Sequence, residues 1–299
     1  MTYSIVARHA TSGELGVAVQ SHYFSVGSVV PWVESGVGAV ATQAMAEVSY
    51  GPRGLELLRN GATASEAIDR LVAEDDNATV RQVAIVDAAG TAAAHTGANC
   101  IPQAGHLLGD AVSVQANMME RDTVPTAMLK AYEATDGDLA DRLLAALDAA
   151  EAEGGDIRGK QSAAIVIYTG EPEHAPGHGR LLDLRVEDHP EPLPELRRLV
   201  QMRRAYLLAD DAERAANAGD MKAAAAALSE AMRLAPGNPE IAFWAAIGTA
   251  VAGQMPAARQ LLAQATPHDP RWPELLRRLP ATNSFPALTE DIVRQLLSD

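Results

Sequence analysis

Thr2-Tyr3-Ser4-Ile5-Val6-Ala7-Arg8 and Glu14-Leu15-Gly16-Val17-Ala18-Val19-Gln20, separated by a Thr11-Ser12-Gly13 turn, decide how the rest of the chain is read. Both runs are of β type, and the turn between them predicts a hairpin. Working outward, residues 36–42 form a third, Gly- and Val-rich run able to pack close to its neighbours. Helical patterns follow at 52–60 and 64–73, the second opened by Thr63 with Glu66 three residues on, a capping-box signature. Strands return at 82–87 and 91–95, joined by Ala88-Ala89-Gly90, and again at 111–115. Helical patterns at 125–133 and 139–153 precede two last strands at 162–168 and 180–186. The order βββ, αα, βββ, αα, ββ is not the rhythm of a doubly wound parallel sheet. It predicts an α+β class with two stacked sheets, each covered by a helix pair. No Gly-rich phosphate loop follows the first strand, which removes the simplest nucleotide-binding reading.

The chain has 299 residues, 47% of them hydrophobic, enough to bury one large core or two modest ones and to exclude disorder as the dominant state. Its net charge is -15, and residues 1–188 carry 12 basic and 26 acidic side chains, so that region alone holds -14. Such acidity argues against a phosphate-backbone partner and weakly against strongly anionic substrates. A single cysteine, Cys100, excludes an internal disulfide framework and a cysteine-rich metal site. No apolar run is long enough for a membrane span, and the first residues show no secretory pattern. These features predict a cytoplasmic protein with no membrane or nucleic-acid partner.

His189-Pro190-Glu191-Pro192-Leu193-Pro194 predicts an extended linker, because three prolines in five residues deny a helix or central strand. The predicted domains are residues 1–188, a linker and start of helical region at 189–200, and a helical module at 201–299. In that module Gly219-Asp220-Met221 recurs as Gly253-Gln254-Met255, and Pro236 as Pro270, with the 34-residue period of tetratricopeptide repeats. About two repeats fit, with a terminal helix near 288–297, and Ala226, Leu228, Trp244 and Leu261 are expected to be largely buried. Two repeats are fewer than independent stability needs, so association is expected, a homodimer first and a protein partner second.

Candidate chemistry begins at Thr2. If Met1 is removed, one residue at the start of a strand carries both a hydroxyl nucleophile and an α-amine able to act as its base. Met-Thr is also a common way for a chain to begin. A hairpin brings Gln20-Ser21-His22 near Thr2, and the end of the third strand, Thr42-Gln43-Ala44, offers an amide or backbone N–H groups for an oxyanion. His22 stays open between ending a strand and serving the site. His95 is either a satisfied sheet residue or a pocket residue, and Asn117 either a turn residue or an oxyanion donor. Arg158 and Lys160 either bind a substrate carboxylate or are ordinary solvated charges. His174, His178 and His189 lie in a Pro/Gly-rich loop with no ligand pattern, so neither a metal nor another cofactor is expected. Cys100 lacks a basic cluster and reads as structural.

The two quoted runs, together with Val26-Gly27-Ser28-Val29-Val30-Pro31-Trp32, Gly36-Val37-Gly38-Ala39-Val40-Ala41-Thr42-Gln43-Ala44, Tyr50-Gly51-Pro52-Arg53-Gly54, Val114-Gln115-Ala116-Asn117-Met118 and Gly154-Gly155-Asp156-Ile157-Arg158-Gly159-Lys160-Gln161-Ser162, carry a resemblance. Residues 2 to about 187 resemble the bacterial domain-of-unknown-function family 1028. That resemblance implies the four-layer αββα sandwich of N-terminal nucleophile hydrolases and supplies no reaction. Proteasome-like members of that fold place a lysine and an acid near the terminal threonine, whereas this chain has no lysine before Lys130. The functional expectation is a hydrolase of amide bonds in a small molecule or short peptide, with Thr2 as nucleophile, Ser21 or His22 as relay, and Gln43 or Asn117 at the oxyanion. His95, Arg158 and Lys160 are the expected substrate contacts. The competing expectation is a ligand-binding or scaffold protein on the same fold.

Overall fold

Ten strands and four helices form the first part of the chain in the computed structural model, which describes residues 2–173, 175, 177–267, 269–282 and 285–298 and, at Asn217, the backbone alone. In chain order these are β1 (Thr2–Arg8), β2 (Leu15–Ser21), β3 (Pro31–Glu34), β4 (Gly38–Ala44), α1 (Tyr50–Arg59), α2 (Ala64–Ala73), β5 (Arg81–Asp87) and β6 (Ala92–Thr96). They continue as β7 (Gly105–Gly109), β8 (Val112–Asn117), α3 (Val124–Ala134), α4 (Leu139–Ala152), β9 (Ser162–Tyr168) and β10 (Arg180–Val186). One sheet runs β10-β9-β2-β1-β8-β7 and the other β3-β4-β5-β6. Every pairing is antiparallel, and β1 and β2 form the expected hairpin with Tyr3 opposite Gln20.

Alternation along each strand separates three apolar layers. Tyr3, Ile5, Val114 and Ile165 face α3 and α4 and pack on Met128, Leu143 and Leu147. Val40, Val83 and Ile85 face α1 and α2 and pack on Leu55, Ile68 and Leu71. Between the sheets lie smaller side chains, Val6, Val17, Val19, Ala39, Ala41, Ala84 and Val86. The first part is thus the four-layer αββα sandwich of the N-terminal nucleophile hydrolase fold. α2 begins with the capping box of Thr63 and Glu66.

Two strands escape the sequence pattern. β3 has four residues and starts at Pro31, and β7 lies between two glycines. Both are sheet edges, where proline is tolerated and a short strand has one partner to satisfy. The expected extended linker is also corrected from Pro192 onward. Pro192 and Pro194 sit in the first turn of α5 (Pro192–Asn217), where the N–H that proline lacks would have had no intrahelical partner.

Two compact units divide the chain, Met1–Val200 and Gln201–Asp299. The second continues α5 and adds α6 (Met221–Leu234), α7 (Pro239–Val251), α8 (Met255–Ala265), α9 (Trp272–Arg278) and α10 (Glu290–Leu297). Asp220 and Asn238 cap α6 and α7 through their side chains. Phe243, Ala246, Ala258, Leu262 and Leu276 form its core. The burial expected of Ala226 is wrong, since it is exposed, and Leu228, Trp244 and Leu261 are half-buried. The helices present Ala231, Ile241, Ala258 and Leu262 to the interior instead.

Gly97 follows β6 where the chain crosses close to another backbone. A Cβ there would lie 2.3 Å from the Thr79 carbonyl oxygen and 2.4 Å from its carbon, so relief requires main chain to move. Gly97→Ala is expected to lower unfolding free energy by about 1–3 kcal/mol, measured by denaturant titration, whereas an unchanged midpoint would mean that this crossing yields freely.

Candidate active site

The side of each strand that faces the other sheet changes character toward one end. Val6, Val19, Ala41 and Ala84 give way on the same faces to Ser4 and Thr2 in β1, Ser21 in β2, Gln43 in β4 and Gln82 in β5. Thr96 in β6 and Gln115 and Asn117 in β8 continue the set. Register puts these residues at a common end: Thr2 pairs with Asn117, Ser4 with Gln115, Gln43 with Gln82, and Gln82 with Thr96. All but the half-buried Thr96 are buried, Thr2 at 4% exposure.

Buried polar groups must find partners inside the protein, and these do. The Thr2 hydroxyl donates to Ser21 Oγ at 3.1 Å. The Thr2 carbonyl accepts from Gln43 Nε2 at 3.2 Å and Asn117 Nδ2 at 3.3 Å. Both amides also donate to Gln82 Oε1, at 2.7 and 2.8 Å. Gln82 Nε2 in turn donates to Thr96 Oγ1, Gly105 O and Ala116 O. Ser4 donates to Gln43 Oε1 and accepts from Gln115 Nε2, each at 2.6 Å. Residue 2 is therefore gripped through its main-chain carbonyl by two amides whose second protons are shared at a single oxygen.

This arrangement revises the roles expected of Gln43 and Asn117. An amide nitrogen has two hydrogens, and here both are committed, to Thr2 and Gln82 and, for Gln43, also to Gln115 O at 3.3 Å. Both amides hold residue 2 through its carbonyl. The residues that follow them, Ala44 and Met118, have φ of 66° and 55°, left-handed values that cost a side-chain-bearing residue and cluster at functional sites.

The other expected residues are placed elsewhere. His22 is exposed, and its contact is a backbone N–H donated to Asp156 Oδ2 at 3.2 Å. His95 stands one residue before Thr96 and so faces α1 and α2, where its ring bonds Ala78 O at 2.9 Å. Arg158 grips the buried Asp156 with Nε and Nη2 at 3.1 and 2.9 Å. Lys160 pairs with Glu191 at 2.8 Å and approaches Glu151 at 3.8 Å. Glu151 belongs to α4, on the far side of the sheet from the Thr2 hydroxyl, where it accepts from Tyr3 Oη at 2.7 Å. Burial first and Glu151 second push the Tyr3 phenol well above its ordinary value. Lys160 thus belongs to that outer cluster, not to the threonine.

Cys100 is buried, its Sγ 3.3 Å from Arg81 O, and burial raises its thiol pKa, which suits an inert side chain. His178 and His189 are exposed, while Met1 and His174 lie outside the described residues. Ser4, Gln82, Thr96, Gln115 and His106 escaped the sequence reading. The signal for three of them was present, because Ser4 is two residues from Thr2, Gln115 two from Asn117, and Gln82 opens a strand facing the same layer. His106 Nδ1 meets Thr96 Oγ1 at 2.8 Å.

A model of a family of unknown function, DUF1028, matches residues 2–196, and a tetratricopeptide repeat model matches residues 215–279. The crystal structure of protein SPO2555 from Silicibacter pomeroyi, a DUF1028 protein, superposes with a TM-score of 0.60 at 31% identity, over 67% of this chain and 88% of its own. No curated protein matches the chain. No helix among the described residues is long and apolar enough to cross a membrane.

Gln82→Leu would leave the Gln43 and Asn117 amides aimed at a hydrocarbon, so it should cost about 2–6 kcal/mol in denaturant unfolding, at roughly 1–3 kcal/mol for each stranded donor. A loss below that range would show the layer rearranges around the gap. The second test uses His106, which burial, and then His95, hold below its ordinary pKa of 6.5. Above 6.5 this group adds no pH dependence. As pH falls below 6.5 the unfolded chain binds a proton the folded one refuses, so stability falls. In His106→Gln that part of the pH-stability profile should flatten relative to the parent, and superimposable profiles would refute it.

Proposed function

From the premise that the chain belongs to the DUF1028 family, a family of unknown function, we propose that it is an amide-bond hydrolase acting on a small molecule or short peptide through Thr2 once Met1 is removed. The observation carrying this reading is the grip on the Thr2 carbonyl by Gln43 and Asn117, with the Thr2 hydroxyl donating to Ser21 Oγ. Preorganised placement of a nucleophile lowers the barrier to attack.

In this mechanism the free α-amine of Thr2 accepts the hydroxyl proton while Oγ1 attacks the amide carbon. The carbon–nitrogen bond then breaks, and the proton passes from the ammonium to the departing amine. Water, activated by the same α-amine, hydrolyses the resulting ester. Gln43, Asn117 and Gln82 are positioning residues, and Ser21 is the polar group beside a carbonyl seated on Thr2. His22 has no part in the step. The repeat module is an association surface, with a second copy of the chain as the simplest partner, and the single cysteine suits the reducing cytoplasm as the place of work.

The test joins mass and turnover. Intact mass of the purified protein should begin at Thr2, and a panel of small acyl amides and dipeptides should include one that is hydrolysed. On that substrate Thr2→Ala, and equally an uncleavable N-terminal extension, should lower kcat by about a thousandfold or more, with Thr2→Ser retaining part of it. Retention of Met1 in the mature chain, or turnover indifferent to both changes, would leave a binding or scaffold protein as the better reading.

A further inference from the structure

Large apolar side chains are concentrated in the loops that follow the strand ends around Thr2. Of the eight that are exposed among the described residues of the first unit, six lie in loops at this end: Tyr23, Phe24, Met45, Val48, Ile101 and Ile157. Their attachment to the site is covalent or by backbone hydrogen bonds. Tyr23 and Phe24 follow Ser21 and His22, and Met45 lies two residues past Gln43. Met118, the residue after Asn117, donates its N–H to Ile101 O at 2.9 Å and accepts from Ile157 N at 3.3 Å. Exposed apolar side chains gathered in the loops at one end, on a chain with 4% aromatic residues, are the kind of feature that marks interaction sites.

Charge at the same end is spent internally. Arg81 is paired with Asp75 at 2.8 Å, Arg121 with Glu153 at 3.6 Å, Arg158 with Asp156 and Lys160 with Glu191. Recognition of a substrate carboxylate through Arg158 or Lys160 would first have to break one of these pairs, and the field of a domain carrying -14 opposes an anion's approach. The floor is made of uncharged groups, Thr2, Ser21, Gln43 and Asn117.

We propose that the acyl half of the substrate is uncharged and apolar, lying across Tyr23, Phe24, Met45 and Ile157 with its carbonyl on Thr2. This rests on Thr2 being the nucleophile. The probe that tests both is a pair of β-lactones of equal length, one ending in a phenyl group and the other in a carboxylate. Thr2 Oγ1 attacks the lactone carbon, the ring carbon–oxygen bond breaks, and the released alkoxide takes the proton the threonine gave up, so the adduct adds the whole lactone mass. Intact mass against time, on protein beginning at Thr2, gives the two rates, with Thr2→Ala as the site control.

The phenyl lactone should react about tenfold faster or more, as burial of an aromatic group predicts. The double variant Phe24→Ser, Ile157→Ser, altered only at exposed positions, should bring its rate down toward that of the carboxylate lactone. Equal rates, a faster carboxylate lactone, or indifference to the double variant would overturn the apolar acyl class while leaving Thr2 as nucleophile. A phenyl rate that falls as protein concentration rises would assign the rim to a second copy and overturn the proposal likewise. Reaction of neither lactone with Thr2 would remove the nucleophile reading, and this inference with it.

Discussion

Everything at the working end of the sandwich depends on one oxygen, Gln82 Oε1, accepting from two amides at once. A polar layer between two sheets is tolerated only if each donor and acceptor is satisfied there, since water is not available to make up a deficit. Gln82 meets that condition from an inner strand of its sheet. Its oxygen orients Gln43 and Asn117, and its nitrogen secures Thr96 and two carbonyls of the facing sheet. The two sheets are thereby fixed at the end where their hydrophobic contact is replaced by polar contact. An apolar layer of alanine and valine elsewhere can slide a little without penalty; directional hydrogen bonds at this end cannot.

The gross architecture was open to reading because each strand is short, punctuated and alternating. Tyr3 and Ser4, facing opposite ways, are enough to tell a two-sided strand from a surface one, and the paired helices between paired strands indicated layers rather than crossovers. The repeats were visible through Met221 and Met255, which start α6 and α8. β3 and β7 were invisible because an edge strand of four or five residues with Pro31 or Gly105 in it has the composition of a loop, and only its neighbour makes it a strand. α5 was misjudged for a related reason: prolines forbid the middle of a helix, not its first turn.

Site residues were readable only so far as chain geometry locates them. Thr2, Ser21, Gln43 and Asn117 stand at strand ends that a hairpin and its neighbours bring together. Which groups a side chain bonds is decided by register across sheets, and this is where His95 was lost by a single position to Thr96. The charged candidates found local partners. Arg158 has Asp156 two residues away, and so local a partner closes a guanidinium fork before any ligand arrives. Nor does alanine at 44 or methionine at 118 announce a left-handed backbone, so the two corners beside the amides leave no mark in composition.

The framework holds residue 2 by its carbonyl, a group common to all amino acids, and places no demand on what its side chain is beyond fitting opposite Ser21. Framework and reagent are thus separable. Selection acting on the buried amides preserves a socket, while drift at the residue occupying it is filtered by chemistry alone. A lineage built on this scaffold can exchange that side chain without renegotiating the packing of either sheet. Sequences sharing the polar layer but differing at this one position are then better sorted by what they react with than by how they fold.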